Sequence, residues 1–259
     1  MQPDFSEFSY GYAIVDELVH WHNVGLKFAP VFPSLYQEGQ RGMGYDVELY
    51  RKEGVPLFLQ FKTSHYMKGP RTLEFREGTF DAPFYRMFLR PYRHSNQHKE
   101  LLDLERKGNE VYYSAPSFHN MNELNSAYLQ HKVKDRSLWV NPSVIGDLPD
   151  DGNHHVSFRL PSTIVVHSVP KKLEVRADYE NFEKNLNRAV KTRGKNALTR
   201  ESISSLTENL KGKLREKANV PQDLMSAVES RFMSEDPLRN LAFYSYFALN
   251  AQLLTVTKV

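Results

Sequence analysis

Apolar side chains at Phe8, Tyr12, Val15 and Val19, with Ile14, Leu18 and Trp21 beside them, recur at intervals of three and four residues. This predicts a helix over 8–22 that is apolar most of the way round, with Asp16, Glu17 and His20 as its polar remainder. The next stretch, APVFPSLYQEGQRGMG, reads as a loop with two prolines and a glycine-rich end. From Tyr45 to Tyr50 the pattern alternates: Asp46 and Glu48 share one face, and Tyr45, Val47 and Leu49 the other, as in a strand. Val55 to Lys62 is the next predicted strand, with Pro56 tolerated near its start. Its end holds Gln60 and Lys62, a charge where a core strand gains nothing from one. Either the strand meets solvent at Lys62 or a cleft needs the ammonium.

Phe84 to Leu89 reads as a third strand. Ser95 is the expected N-cap of a helix through Lys107, with Leu101, Leu102 and Leu104 inward and Gly108 as its stop. EVYYSA at 110–115 is β-rich and is closed by Pro116. Strand, helix and strand in that order predict a crossover with parallel pairing. Asn122 is placed as the cap of a short helix to about Gln130, 146–153 as a loop, and Val156–Phe158 and Thr163–His167 as late strands.

After Pro170 the pattern is helical to the end. Over 178–195, Tyr179, Phe182, Leu186 and Val190 share one face, and Lys184, Arg188, Lys191 and Lys195 lie opposite. Ile203, Leu206, Leu210 and Leu214 form the stripe of a second helix capped by Thr199, and Pro221 opens a third. A fourth, opened by Asp236-Pro237, is apolar nearly all round (Leu241, Phe243, Phe247, Leu249, Leu253) and is expected to be buried. The expected organisation is an α/β domain over 1–172 followed by an all-helical domain over 173–259.

Composition narrows the chemistry. The 259 residues are 40% hydrophobic and 25% charged, enough for a packed core. There is no cysteine, which excludes thiol nucleophiles, disulfides and zinc ribbons and fits an intracellular, cytoplasmic protein. No apolar run is long enough for a membrane helix, and MQPDFSEFSY lacks the basic region of a signal peptide. Net charge is +3, but 184–217 carries ten Lys/Arg against three acids, +7, leaving −4 for the remainder. That asymmetry fits a polyanion partner as well as it fits a solvated helical face.

Asp46 and Gln60 are 14 residues apart, the spacing of a hairpin, and Gln60 and Lys62 share one face of their strand. A carboxylate, an amide oxygen and an ammonium can then converge. Such a set suits phosphodiester hydrolysis, with magnesium on oxygen donors and a lysine beside the attacking water. The order helix-Glu, Gly-Tyr-Asp, Gln-x-Lys resembles the PD-(D/E)xK nuclease superfamily, the restriction-endonuclease-like fold of a mixed sheet flanked by helices. The resemblance spans roughly 10–120, reaching toward 170, and leaves the helical tail aside. It implies that Asp46, Gln60 and Glu17 bind Mg2+ or Mn2+, that Lys62 is catalytic, and that Gln97, on the following helix, lines the site. Gln replaces the usual acid at 60 and no proline precedes Asp46; Glu48 shares the Asp46 face and could compensate.

The expected activity is a metal-dependent nuclease, on DNA rather than RNA, and the resemblance implies a role in bacterial restriction, repair or anti-phage defence. Lys184, Arg188, Lys191 and Lys195 are the expected phosphate contacts. Two rivals stand beside this reading. One is the same fold without catalysis, binding nucleic acid intact. The other is a subunit whose helical tail docks an ATPase or helicase, or a second copy of the chain. The histidines of HSNQH at 94–98 and NHH at 153–155 could hold a metal or act as a general base, but His154 and His155, adjacent on a strand, face opposite ways and are not expected to share an ion, and these histidines read as structural or surface.

Overall fold

The computed structural model describes residues 1–20, 54–93, 95–161, 163–167, 171–173, 175–218, 226, 229–230, 233, 236–249 and 251–257. The predicted strand at 45–50, with Asp46 and Glu48, and most of the helix expected from Pro221 lie outside these residues. The amino-terminal apolar repeat folds as α1 (Glu7–His20), burying Tyr10, Ile14, Val15 and Leu18. The apolar run after it forms β1 (Gly54–Phe61), buried at all eight positions. Burial of each of its large side chains contributes roughly 1.5–3 kcal/mol.

The chain is α/β: a mixed sheet with flanking helices, followed by C-terminal helices. It divides into two compact units, each drawn from two stretches: the described parts of Met1–Val24 with Leu59–Asn187, and of Gly25–Phe58 with Arg188–Val259.

In the first unit a five-stranded antiparallel sheet contains β2 (Ser64–Met67), β3 (Phe84–Phe88), β6 (His155–Arg159), β7 (Thr163–His167) and β8 (Lys171–Leu173), in the order β2-β3-β6-β7-β8. The short helix α2 (Leu73–Arg76) lies between β2 and β3 in sequence. A second layer of pairing joins β4 (Glu110–Pro116) to β5 (Ser137–Val140), antiparallel, with Ser114 opposite Trp139. β1 is the neighbour of β4 on its other side, and the Lys62 amide just after β1 donates to the Ser114 carbonyl of β4.

Helix α3 (Gln97–Arg106) buries Leu101, Leu102 and Leu104, as its spacing predicts. Its cap is Asn96, one residue beyond the expected Ser95, although the Ser95 hydroxyl accepts the Gln97 amide proton. Gly108 ends this turn at φ 89°, a conformation that favours glycine. The predicted crossover through α3 is not formed, because β3 and β4 belong to different sheets. Both edges of β3 are taken by antiparallel partners, β2 and β6, so β4 finds its neighbours in β1 and β5.

Helix α4 (Met121–Leu129) is capped by Asn120, not Asn122. The Asn120 side chain accepts the Glu123 amide and Glu123 reaches back to the Asn120 amide, a reciprocal pair that selects this start. The short α5 (Pro142–Ile145) follows β5, and α6 (Tyr179–Arg193) follows β8.

In the second unit α7 (Arg200–Ala218) starts at the Thr199 cap and packs against α8 (Pro237–Leu249). The helical expectation for the tail is corrected in two places. Residues 171–173 are β8, and 252–257 are a strand, β9 (Gln252–Thr257), which takes Leu253 out of the last helix and lies beside β1. Thr255, Val256 and Thr257 explain the switch, since β-branched side chains favour the pleated conformation. Helix α8 is amphipathic instead of buried all round: Leu241, Tyr244 and Leu249 are inside, and Phe247 is 47% exposed. No helix among the described residues is long and apolar enough to cross a membrane.

Candidate functional site

Residues 54–61 form a fully buried strand, and the chain does not meet solvent where that strand ends. The Lys62 amide donates to the Ser114 carbonyl at 2.9 Å, which carries the alignment with β4 one residue further. Its side chain is 4% exposed. The ammonium donates to Gln97 Oε1 at 3.1 Å, and Gln97 Nε2 donates to Gln60 Oε1 at 2.7 Å. Gln60 Nε2 in turn donates to the Phe61 carbonyl at 3.0 Å. Gln60, Lys62 and Gln97 thus form one hydrogen-bonded chain, all three buried. Shared strand parity brings Gln60 and Lys62 to the same partner, and the first turn of α3 supplies it.

Among the described residues no carboxylate lies within ion-pair distance of the Lys62 ammonium. Burial pushes its pKa down; Glu7 opposes that shift, and Arg90 adds to it. Glu7 is in the first turn of α1, half-buried. Helix α1 is held close to this end of β1. Gly11 faces the Phe61 ring so tightly that a Cβ there would sit 2.7 Å from Cδ2. The Tyr10 ring meets the Phe61 ring edge-on, at 5.9 Å between centroids. The Tyr10 hydroxyl bonds Ser114 Oγ at 2.7 Å and Ser137 Oγ at 2.8 Å, tying α1 to β4 and β5.

Glu17 sits elsewhere. It is fully buried, and its oxygens accept the amides of Val133 at 2.8 Å and Lys134 at 3.0 Å, with the Lys134 ammonium at 3.9 Å. Burial raises its pKa, and the two amides pull against that rise. Ten residues separate Glu17 from Glu7, about 15 Å along a helix. The α1 acid whose charge bears on Lys62 is therefore Glu7. Sequence reasoning passed over it because the predicted helix began at Phe8; its place in an acidic first turn, one turn before Gly11, was the available signal. Asp46 lies outside the described residues.

Lys184, Arg188 and Lys191 are exposed on α6; Lys195, also exposed, lies in the turn after the helix ends at Arg193.

A second polar cluster is built on the five-stranded sheet. Glu74 on α2 is fully buried and receives Arg86 from β3, with Nη2 at 2.6 and 2.7 Å from its two oxygens and Nε at 3.1 Å. Ser157 Oγ donates to Glu74 Oε1 at 2.6 Å, and His155 Nε2 lies 3.2 Å from the same oxygen. His167 Nε2 is 3.9 Å from it. Burial alone would raise the Glu74 pKa, but hydrogen bonds from His155, Arg86 and Ser157 hold it far below the usual carboxylate range. Burial, with His155 beside it, lowers the His167 pKa to about 4, so its ring is neutral at neutral pH. The neighbouring His154 faces the other way, with Nε2 2.9 Å from the Asp150 carbonyl oxygen, as strand parity requires. The sequence offers His155 as a candidate but not its partners, because Glu74, Arg86 and the two strands meet only through the sheet.

No protein-family model matches the chain, and no curated protein or solved structure matches it either.

Proposed function

We propose that the chain is a metal-dependent phosphodiesterase of nucleic acid, with DNA as its substrate and Lys62, Gln60, Gln97 and Glu7 around the reacting phosphate. The observation that carries this reading is a buried ammonium held by an amide oxygen. A buried lysine kept for stability is paired with a carboxylate, because desolvating an unpaired charge is costly. Lys62 has no such partner among the described residues, and its pKa is depressed. Groups in that condition concentrate at functional sites.

The nearby donors are the Gln60 amide oxygen and the Glu7 carboxylate, with Asp46 expected from the sequence; magnesium and manganese accept oxygen donors of this kind. When bound, such an ion lowers the pKa of its water and neutralises developing phosphoryl charge. Lys62 places a second positive charge against the phosphoryl oxygens in a site screened from water. Gln97 is a positioning residue: one amide group orients both the Lys62 ammonium and the Gln60 oxygen.

Plasmid DNA, single-stranded DNA and RNA, incubated with magnesium, manganese or EDTA, test this beside Lys62→Met. Cleavage is expected with metal, absent in EDTA and reduced roughly 100-fold or more in the variant. Lys62→Met is expected to unfold within about 1 kcal/mol of wild type, since relief of desolvation offsets the lost hydrogen bond. Equal cleavage by wild type and variant would sink the proposal. Gln60 stands where the resemblance has an acid, which favours a second reading, a binding module without catalysis; tight binding with no cutting would support that reading.

A further inference from the structure

We propose that Glu74, His155 and His167 form a binding site for a divalent cation of the zinc class. The inference is independent of the phosphodiesterase reading. Each of the three residues offers one ligand atom, and these atoms all lie within 4.8 Å of one another. A tetrahedral ion with bonds near 2.0–2.2 Å holds its donors roughly 3.3–3.6 Å apart, so small side-chain shifts close the site. The His155 to Glu74 distance is already 3.2 Å and the His167 to Glu74 distance 3.9 Å.

The backbone delivers these ligands. His155 and His167 are directly opposite across the antiparallel β6–β7 pair, and their rings stack with centroids 4.7 Å apart at 16°. Both present Nε2 to one oxygen of Glu74. His167 adds a second observation: it is buried, and among the described residues neither of its ring nitrogens has a hydrogen-bond partner. Buried polar atoms are almost always satisfied, and one left alone marks a missing partner. A cation between the rings and Glu74 would take up His167 Nε2.

The donor set selects the ion. Two imidazoles and a carboxylate suit zinc and its neighbours, whereas magnesium and calcium take oxygens. Three protein ligands leave a fourth position for water. Arg86 is compatible with the ion because Glu74 has two oxygens. Its Nη2 keeps Oε2, at 2.6 Å, when Oε1 turns to the cation. The guanidinium then orients the carboxylate, as outer partners of metal ligands commonly do.

The test uses the whole chain, freed of metal with a chelator and then titrated with Co2+ and with Zn2+. One equivalent of Co2+ is expected to bind, with visible absorption of a low-coordinate nitrogen–oxygen site, and Zn2+ is expected to displace it and raise the melting temperature. Mg2+ should do neither. His167→Gln and, separately, His155→Gln should each weaken Zn2+ binding at least roughly tenfold. His154→Gln, whose ring points to Asp150, should leave it unchanged. Circular dichroism establishes that each variant is folded, and the wild-type stoichiometry stands without them. Absence of stoichiometric Co2+ or Zn2+ binding by the wild-type chain, or affinity unchanged in both His155→Gln and His167→Gln, would overturn the proposal.

Discussion

Glu17 and Lys62 are both ionisable and both buried, and their surroundings differ. The Glu17 carboxylate accepts two backbone amides, those of Val133 and Lys134. Truncation leaves both donors buried and unpaired, at about 1–3 kcal/mol each. Glu17→Ala is therefore expected to lose about 2–4 kcal/mol in urea denaturation, with DNA cleavage per folded molecule unchanged. Cleavage lost without loss of stability would return Glu17 to the reacting site. Helical periodicity puts Glu17 with the polar remainder of α1, yet the residue is fully buried. Periodicity fixes an angle about the helix axis and says nothing about what waits there, so a ligand and an amide acceptor look alike in sequence. Strand parity is more informative: it puts Gln60 and Lys62 on one face, and Gln97 is found bonded to both.

At the level of elements, the contact between α1 and the end of β1 sets the position of Lys62. It depends on Gly11, where any side chain would collide with the Phe61 ring. Alanine would raise helix propensity by about 1 kcal/mol, but overpacking of this kind costs about 1–3 kcal/mol. Gly11→Ala is expected to lower stability by about 1 kcal/mol net and to reduce cleavage, because Phe61 adjoins Lys62; a stabilised variant would show that the ring yields freely. Long periodic segments such as α1, α3, β1 and β7 were legible, because each carries its own pattern. Ser64–Met67, Leu73–Arg76 and Ser137–Val140 were not: each is four residues long, too short to display a period. Asn120 and Asn122 are two residues apart, and Glu123, three residues after Asn120, selects the first as the cap of α4.

At the scale of the whole molecule, charge is the property that sequence reports best and pairing the one it reports worst. That β3 and β4 enter different sheets depends on partners distant in sequence, β6 for one and β1 for the other. The basic group of Lys184, Arg188, Lys191 and Lys195 is exposed as its spacing required. If these side chains meet DNA phosphates, log affinity falls with log salt at a slope of about −0.9 per contact. Replacing all four by Gln is expected to flatten that slope by up to about 3.6, measured by fluorescence anisotropy between low and moderate salt; an unchanged slope would assign them to solvent. The two units are also interleaved along the chain, and this matters while the protein is being made. The described part of the first stretch, 54–58, belongs with the described part of Arg188–Val259, and the 129 residues of 59–187 come between them. At roughly 5–20 residues per second, the ribosome holds the first stretch without its partner for about 6–26 s. The other unit is fully synthesised during that interval, so on the ribosome the unit carrying Gln60, Lys62 and Gln97 has its whole sequence first.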